Sequence, residues 1–104
     1  MPTVRGTLTL PPGTPDTAAT VRITIEDVTR ADAAATIVAS QILEEVSLSS
    51  LRFALQVDTV DPHARYTVRV RAELSAGGVL LTTQSVPVLT QGAPTEVAVP
   101  VTRV

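Results

Sequence analysis

Arg65-Tyr66-Thr67-Val68-Arg69-Val70-Arg71-Ala72-Glu73-Leu74 is the stretch that decides the fold class. Tyr66, Val68, Val70, Ala72 and Leu74 take every second position, and arginine, threonine or glutamate stands between them. A period of two is that of a β-strand with one face in a core and the other in water. Just beyond it, Gly77-Gly78 reads as a tight two-residue hairpin turn, because both glycines can take the positive φ such a loop requires. Val79 to Ser85 is then the return strand. Upstream, Leu51 to Val57 alternates strictly and points Phe53 inward, and Val4 to Leu10 places its apolar or small residues on even positions. Val21 to Glu26 is apolar on odd positions until Val28 breaks the parity, which predicts a bulge or a strand end near Asp27. Val86-Pro87-Val88 and Val97 to Val101 complete the set, and their prolines mark edges or strand exits, since proline cannot donate to a ladder.

The composition agrees. Val, Ile and Thr fill 36 of the 104 positions, a β-branched load that suits pleated strands and disfavours helices. The length suffices for one domain, residues 1–104, with one core. Seven or eight strands at this spacing predict an all-β, two-sheet antiparallel sandwich of immunoglobulin/fibronectin-III-like or transthyretin-like topology. Residues 31–46 are ambiguous. Ala34, Ile37, Val38, Gln41, Ile42 and Glu45 fit an amphipathic helix, yet the same letters alternate as a strand, and the β-branched Thr36-Ile37-Val38 favours the strand.

One constellation is more specific than alternation. In Val60-Asp61-Pro62-His63-Ala64-Arg65-Tyr66, a tyrosine opens a long inward-alternating strand just after a turn. This resembles the tyrosine corner of immunoglobulin-like sandwiches, where the phenol hydroxyl bonds to backbone a few residues upstream. Tyr66 is therefore assigned a structural role, as is Phe53. With both rings in the core, a partner contact would rest on aliphatic residues and arginine rather than aromatic anchors.

The residue inventory narrows the chemistry. There is no cysteine, and the single histidine, His63, follows Pro62 in a turn with no orienting set around it, so no catalytic residues are expected. One histidine cannot hold zinc, and Asp58 and Asp61 read as turn formers rather than calcium ligands; no metal or other cofactor is expected. Adjacent Glu44 and Glu45 would point to opposite faces of a strand and so form no acid/base pair. A net charge of −2, without lysine or aromatic platforms, argues against nucleic acid, and no apolar run is long enough to span a membrane. The remaining polar feature is the outward stripe Arg65, Arg69 and Arg71. It can receive an acidic peptide, or it can form ordinary pairs with Glu26, Glu73 and Glu96.

Val4-Arg5-Gly6-Thr7-Leu8-Thr9-Leu10-Pro11, the block Glu26-Asp27-Val28-Thr29-Arg30-Ala31-Asp32, Ile37 to Gln41, and Asp61-Pro62 leading to Tyr66-Thr67-Val68-Arg69-Val70-Arg71-Ala72 together resemble the YbaY/YscW family of bacterial lipoproteins. Thr82-Thr83, Pro87 to Thr90 and Gly92-Ala93-Pro94 continue the likeness. The resemblance implies a β-sandwich of the bacterial envelope. Its YscW branch comprises pilotins, chaperones that take a secretin ring to the outer membrane, so it also implies a secretin-like protein client. Met1-Pro2-Thr3-Val4-Arg5 has no charged-then-apolar layout, and there is no cysteine to carry a lipid; the expected location, periplasm or outer-membrane periphery, rests on the resemblance. A non-enzymatic binding or chaperone-like protein is the leading expectation. The alternative is a purely structural accessory of a larger assembly, without a ligand of its own.

Overall fold

The computed structural model describes residues 2–30 and 32–104. Met1, and Ala31 at the start of the ambiguous segment, lie outside the described residues. The strands are β1 (Thr3–Thr9), β2 (Ala18–Asp27), β3 (Thr36–Ser47), β4 (Arg52–Gln56), β5 (Tyr66–Leu74), β6 (Val79–Leu81), β7 (Pro87–Val88), β8 (Glu96–Pro100) and β9 (Thr102–Arg103). A short 3-10 turn, Leu48–Ser50, joins β3 to β4. They form two sheets, one ordered β4-β1-β8 and a six-stranded one ordered β3-β2-β5-β6-β9, with β7 also pairing to β5.

The alternation of residues 65–74 is realised in full. Tyr66, Val68, Val70, Ala72 and Leu74 are buried, while Arg69, Arg71 and Glu73 face solvent. Val21, Ile23 and Ile25 of β2 join them from the same sheet, and Val4, Phe53, Leu55 and Val99 come from the opposite sheet to close one core. All pairings are antiparallel except that of β1 with β8, which run parallel from Arg5↔Glu96 to Thr9↔Pro100. After Pro100 the chain changes sheets. The Val101 N–H still bonds to the Thr9 carbonyl at 3.1 Å, and the next two residues, β9, pair with β6 on the other layer.

Residues 36–47 form a strand, not a helix, and a bulged one. Its register against β2 slips between Ile25 and Glu26 and again between Ala19 and Val21. Glu45 takes a left-handed φ of 53° within the second slip. The simple alternation that would put Glu44 and Glu45 on opposite faces is therefore broken there; both are exposed. The first slip lies near the parity break seen at Asp27, where β2 ends.

Two expectations about the hairpin after β5 are corrected. The loop is four residues, Ser75–Gly78, not two. Gly77 N–H bonds to the Leu74 carbonyl and Leu74 N–H to the Gly78 carbonyl, each at 3.0 Å. Gly77 and Gly78 do take positive φ, 98° and 107°, but at the closing end of that longer loop. The return strand is likewise not continuous from Val79 to Ser85. The Thr82 N–H still bonds to the Val70 carbonyl at 3.1 Å, but its hydroxyl, rather than its carbonyl, accepts the Val70 N–H at 3.2 Å, and the regular strand ends at Leu81. The chain bows out and rejoins β5 through the Val86 carbonyl and β7.

Three local devices fix how neighbouring strands and turns meet. Gly6 of β1 sits directly across from Phe53 of β4. A Cβ there would lie 2.5 Å from the phenyl ring and 2.6 Å from the Val97 carbonyl oxygen, so only glycine lets the ring lie over the strand. At the start of β5 the buried Tyr66 hydroxyl accepts the Asp61 backbone N–H at 2.9 Å, five residues upstream. At the end of β2, Asp27 Oδ1 accepts the Thr29 hydroxyl and, at 2.9 Å, the Thr29 N–H. The same hydroxyl oxygen accepts the Arg65 N–H at 3.0 Å, tying the exit of β2 to the start of β5.

Three outcomes are expected. Gly6→Ala should cost about 1–3 kcal/mol in urea unfolding, because ring or backbone must shift to admit the methyl group. Tyr66→Phe should cost about 1 kcal/mol by leaving the Asp61 N–H unpaired; wild-type stability in that mutant would refute the corner's role. The two Thr29 bonds, the hydroxyl foremost, hold the Asp27 carboxyl below its usual range. Their stabilisation is present in full above the pKa of an unfolded aspartate and is lost as pH falls through the lowered folded value. The stability gap between wild type and Asp27→Asn should accordingly be widest near neutrality and close in acid, as followed by thermal unfolding.

Candidate partner-binding face

The outward stripe of β5 is placed by the β2–β5 ladder. That ladder pairs Arg71 with Arg22, Arg69 with Thr24, and Thr67 with Glu26. Arg69 Nε lies 3.3 Å from Glu26 Oε2, on the diagonal neighbour, and Arg71 bonds to Glu73 Oε1 on its own strand through Nη2 at 3.1 Å and Nε at 3.2 Å. Exposed pairs of this kind contribute about 0–1 kcal/mol, so they orient the side chains more than they stabilise the fold. Glu96, the third expected acidic neighbour, lies on β8 in the other sheet, across from Arg5.

Of the three arginines singled out from the sequence, the structure brings two together. Arg69 and Arg71 line one hollow of about 400 Å³ with Arg22, Thr24, Glu26 and Ile37. Arg65 precedes the first ladder pair and lines a different hollow with Val28, Ser85 and Gln91. Its backbone is engaged on both sides, the N–H by Thr29 and the carbonyl by the Val28 N–H at 2.9 Å, which anchors it at the corner and not on the sheet face.

Arg22 is the residue that reading strand by strand missed. It faces Arg71 directly across the ladder, an arrangement of like charges that disfavours the free sheet. Among the described residues Arg22 makes no ion pair within 4 Å. Its outward parity was visible in the sequence; its partner across the sheet was not, because that needs the register. Beside it on β3, Ile42 is directly opposite Arg22 and Ile37 opposite Glu26, and both are exposed, at 60% and 52%. The outer face thus combines guanidinium groups with bare aliphatic side chains, and no aromatic ring.

A third hollow, of about 570 Å³, lies on the outer face of the three-stranded sheet. There Arg5, Arg52 and Glu96 surround the small side chains of Thr7, Ala54 and Ala98. His63 is exposed, and its backbone N–H bonds to Asp61 Oδ1 at 2.9 Å in the turn before Tyr66. Among the described residues no three histidine, aspartate or glutamate side chains converge as a metal site, and no helix is long and apolar enough to cross a membrane.

Residues 1–101 match the family described as type III secretion system lipoprotein chaperone (YscW). Among solved structures, an alternative pilotin from the type II secretion system of Vibrio cholerae superposes with a TM-score of 0.84 at 28% identity, over 98% of this chain and 96% of that one. A search of curated proteins finds no match.

Proposed function

The chain belongs to the YscW family of type III secretion system lipoprotein chaperones, and we propose that it is a non-enzymatic pilotin-type chaperone that holds a secretin-like client on the outer face of the six-stranded sheet. Its family and the pilotin it superposes on are both described by roles in secretion systems. The observation that carries the choice of face is Arg22. It stands opposite Arg71 without a carboxylate of its own, between the exposed Ile42 and the hollow lined by Arg69. A client segment with a carboxylate beside aliphatic side chains would relieve the Arg22–Arg71 repulsion and cover the isoleucines together.

The experiment is a titration of the protein with a labelled peptide from the carboxy-terminal tail of a secretin. Arg22→Glu should weaken binding at least about tenfold, equivalent to about 1.4 kcal/mol, and added salt should weaken the wild type in the same direction. Ile42→Ser should weaken it without altering the salt dependence. Circular dichroism on both variants separates a lost contact from a lost fold. Unchanged affinity in both variants would remove the proposed face, and no binding by the wild type would remove the client.

A further inference from the structure

The hollow in the outer face of the six-stranded sheet is unbalanced in charge. Arg22, Arg69 and Arg71 line it against one carboxylate, Glu26, which leaves two positive charges in excess. Arg22 and Arg71 are directly opposed on β2 and β5, a placement that sets Cβ atoms about 4.5–5.5 Å apart. Arg71 spends only its Nε and Nη2 on Glu73, and Arg69 meets Glu26 through Nε, so both guanidinium groups keep donors for another acceptor. Arg22, among the described residues, has no ion pair at all.

Thr24 lies at the floor of this hollow. Its parity on β2 is that of Arg22 and Glu26, so it faces outward, yet it is only 7% exposed. Among the described residues its hydroxyl has one partner, the Arg69 carbonyl, to which it donates at 3.5 Å, the outer limit of a hydrogen bond. Buried polar groups are ordinarily well paired, and a hydroxyl held this loosely can turn its hydrogen to a better acceptor. Such an acceptor, placed in the hollow, would also meet the arginines around it.

We infer that this hollow binds a phosphate-type oxyanion, held by Arg22 and Arg71 side by side and by the Thr24 hydroxyl beneath them, with Arg69 at its flank. The donors favour phosphate over carboxylate. Guanidinium groups enter the hollow from both β2 and β5 and a hydroxyl stands at the floor, a set that suits an acceptor with oxygens in several directions. A planar carboxylate would satisfy one guanidinium fork and leave the other donors unused. Charge agrees, since a phosphate monoester carries about −1.5 to −2 near neutral pH, which matches the excess in the lining. Between Arg22 and Arg71 the anion turns one repulsion into two attractions. Glu26 is the single opposing group, and its ion pair with Arg69 at 3.3 Å offsets it. Ile37 and Leu81 also line the hollow, so whatever carries the phosphate meets aliphatic side chains. Inorganic phosphate and a lipid phosphomonoester headgroup share this chemistry. The site lies on the face proposed for the client but does not depend on it; a client carboxylate would compete for the same donors.

The probe is inorganic phosphate, titrated into the full chain against chloride at constant ionic strength and followed by amide and arginine Nε–H resonances. Those of Arg22, Thr24 and Arg71 should shift together and saturate, and the melting temperature should rise over the same range. Arg22→Gln should melt no lower than wild type in chloride, because a like-charge contact is gone. It should nevertheless weaken phosphate at least about tenfold. Thr24→Val should weaken it as well, whereas Arg5→Gln, on the other sheet, should leave it unchanged. Vesicles of phosphatidylcholine with and without phosphatidic acid identify the source. Retention only where phosphatidic acid is present assigns a lipid headgroup, and saturable phosphate binding without retention assigns a soluble phosphate. Shifts that never saturate, or a melting temperature that phosphate raises equally in wild type and Arg22→Gln, mean salt exclusion rather than a site and overturn the inference. Client binding is a separate outcome. A secretin peptide that depends on Arg22 but is not displaced by phosphate overturns the oxyanion site and leaves the client, and phosphate binding without peptide binding does the reverse.

Discussion

Nine consecutive residue pairs join β2 to β5, from Ala19↔Leu74 to Asp27↔Tyr66, without a slip. The rest of the sandwich depends on this ladder. It puts Val21, Ile23 and Ile25 on the same inward face as Val68, Val70 and Ala72, all essentially inaccessible to solvent. A shift of one residue would turn either set outward, so burial fixes the register. The same register fixes the outer face with equal rigidity. Arg22 stands against Arg71 because Val21 and Ile23 must be buried beside Ala72 and Val70, and a like-charge contact on the surface is the cheaper term.

Irregularity is moved to the periphery. The two slips of the large sheet lie in the β2–β3 pairing, and the break after β6 falls between the two stretches, β6 and β7, that pair with β5's other side. Each is made tolerable by a side chain or a special backbone angle: Thr82 lends its hydroxyl to Val70, and Glu45 takes the left-handed region within the bulge. The second sheet is narrower and is held to the first through Phe53, whose ring needs the bare backbone of Gly6, and through the crossing at Pro100–Val101. A pilotin-type role suits such a build. The core uses both aromatic rings, and what remains for recognition is an outer face of arginine and isoleucine.

Much of the fold was legible because a two-residue period is a strong signal where one face is fully buried. The strands around Phe53 and Tyr66 could be drawn from their letters alone, and the turn chemistry of Asp61 and Pro62 located the corner. Signals failed where tertiary contacts overrule local ones. The glycine pair at 77–78 marked the turn but not its length, since Ser75 and Ala76 do not by themselves demand a positive φ as the glycines do. The return strand looked continuous because nothing local announces that Thr82 will bond through its side chain. Gly6 read as merely small; that it must be glycine depends on Phe53, which is forty-seven positions away in the chain.

The candidate face shows the same division. The sequence by itself determined which side chains point outward, because alternation is a property of the strand, and so it marked Arg69 and Arg71. The tertiary structure decided which of those groups meet. It set Arg65 apart at the corner, brought in Arg22 from a strand some fifty residues distant, and buried the Thr24 hydroxyl among them. Parity is local and survives in the letters; neighbourhood is the outcome of register, and register is chosen only when two buried faces pack together.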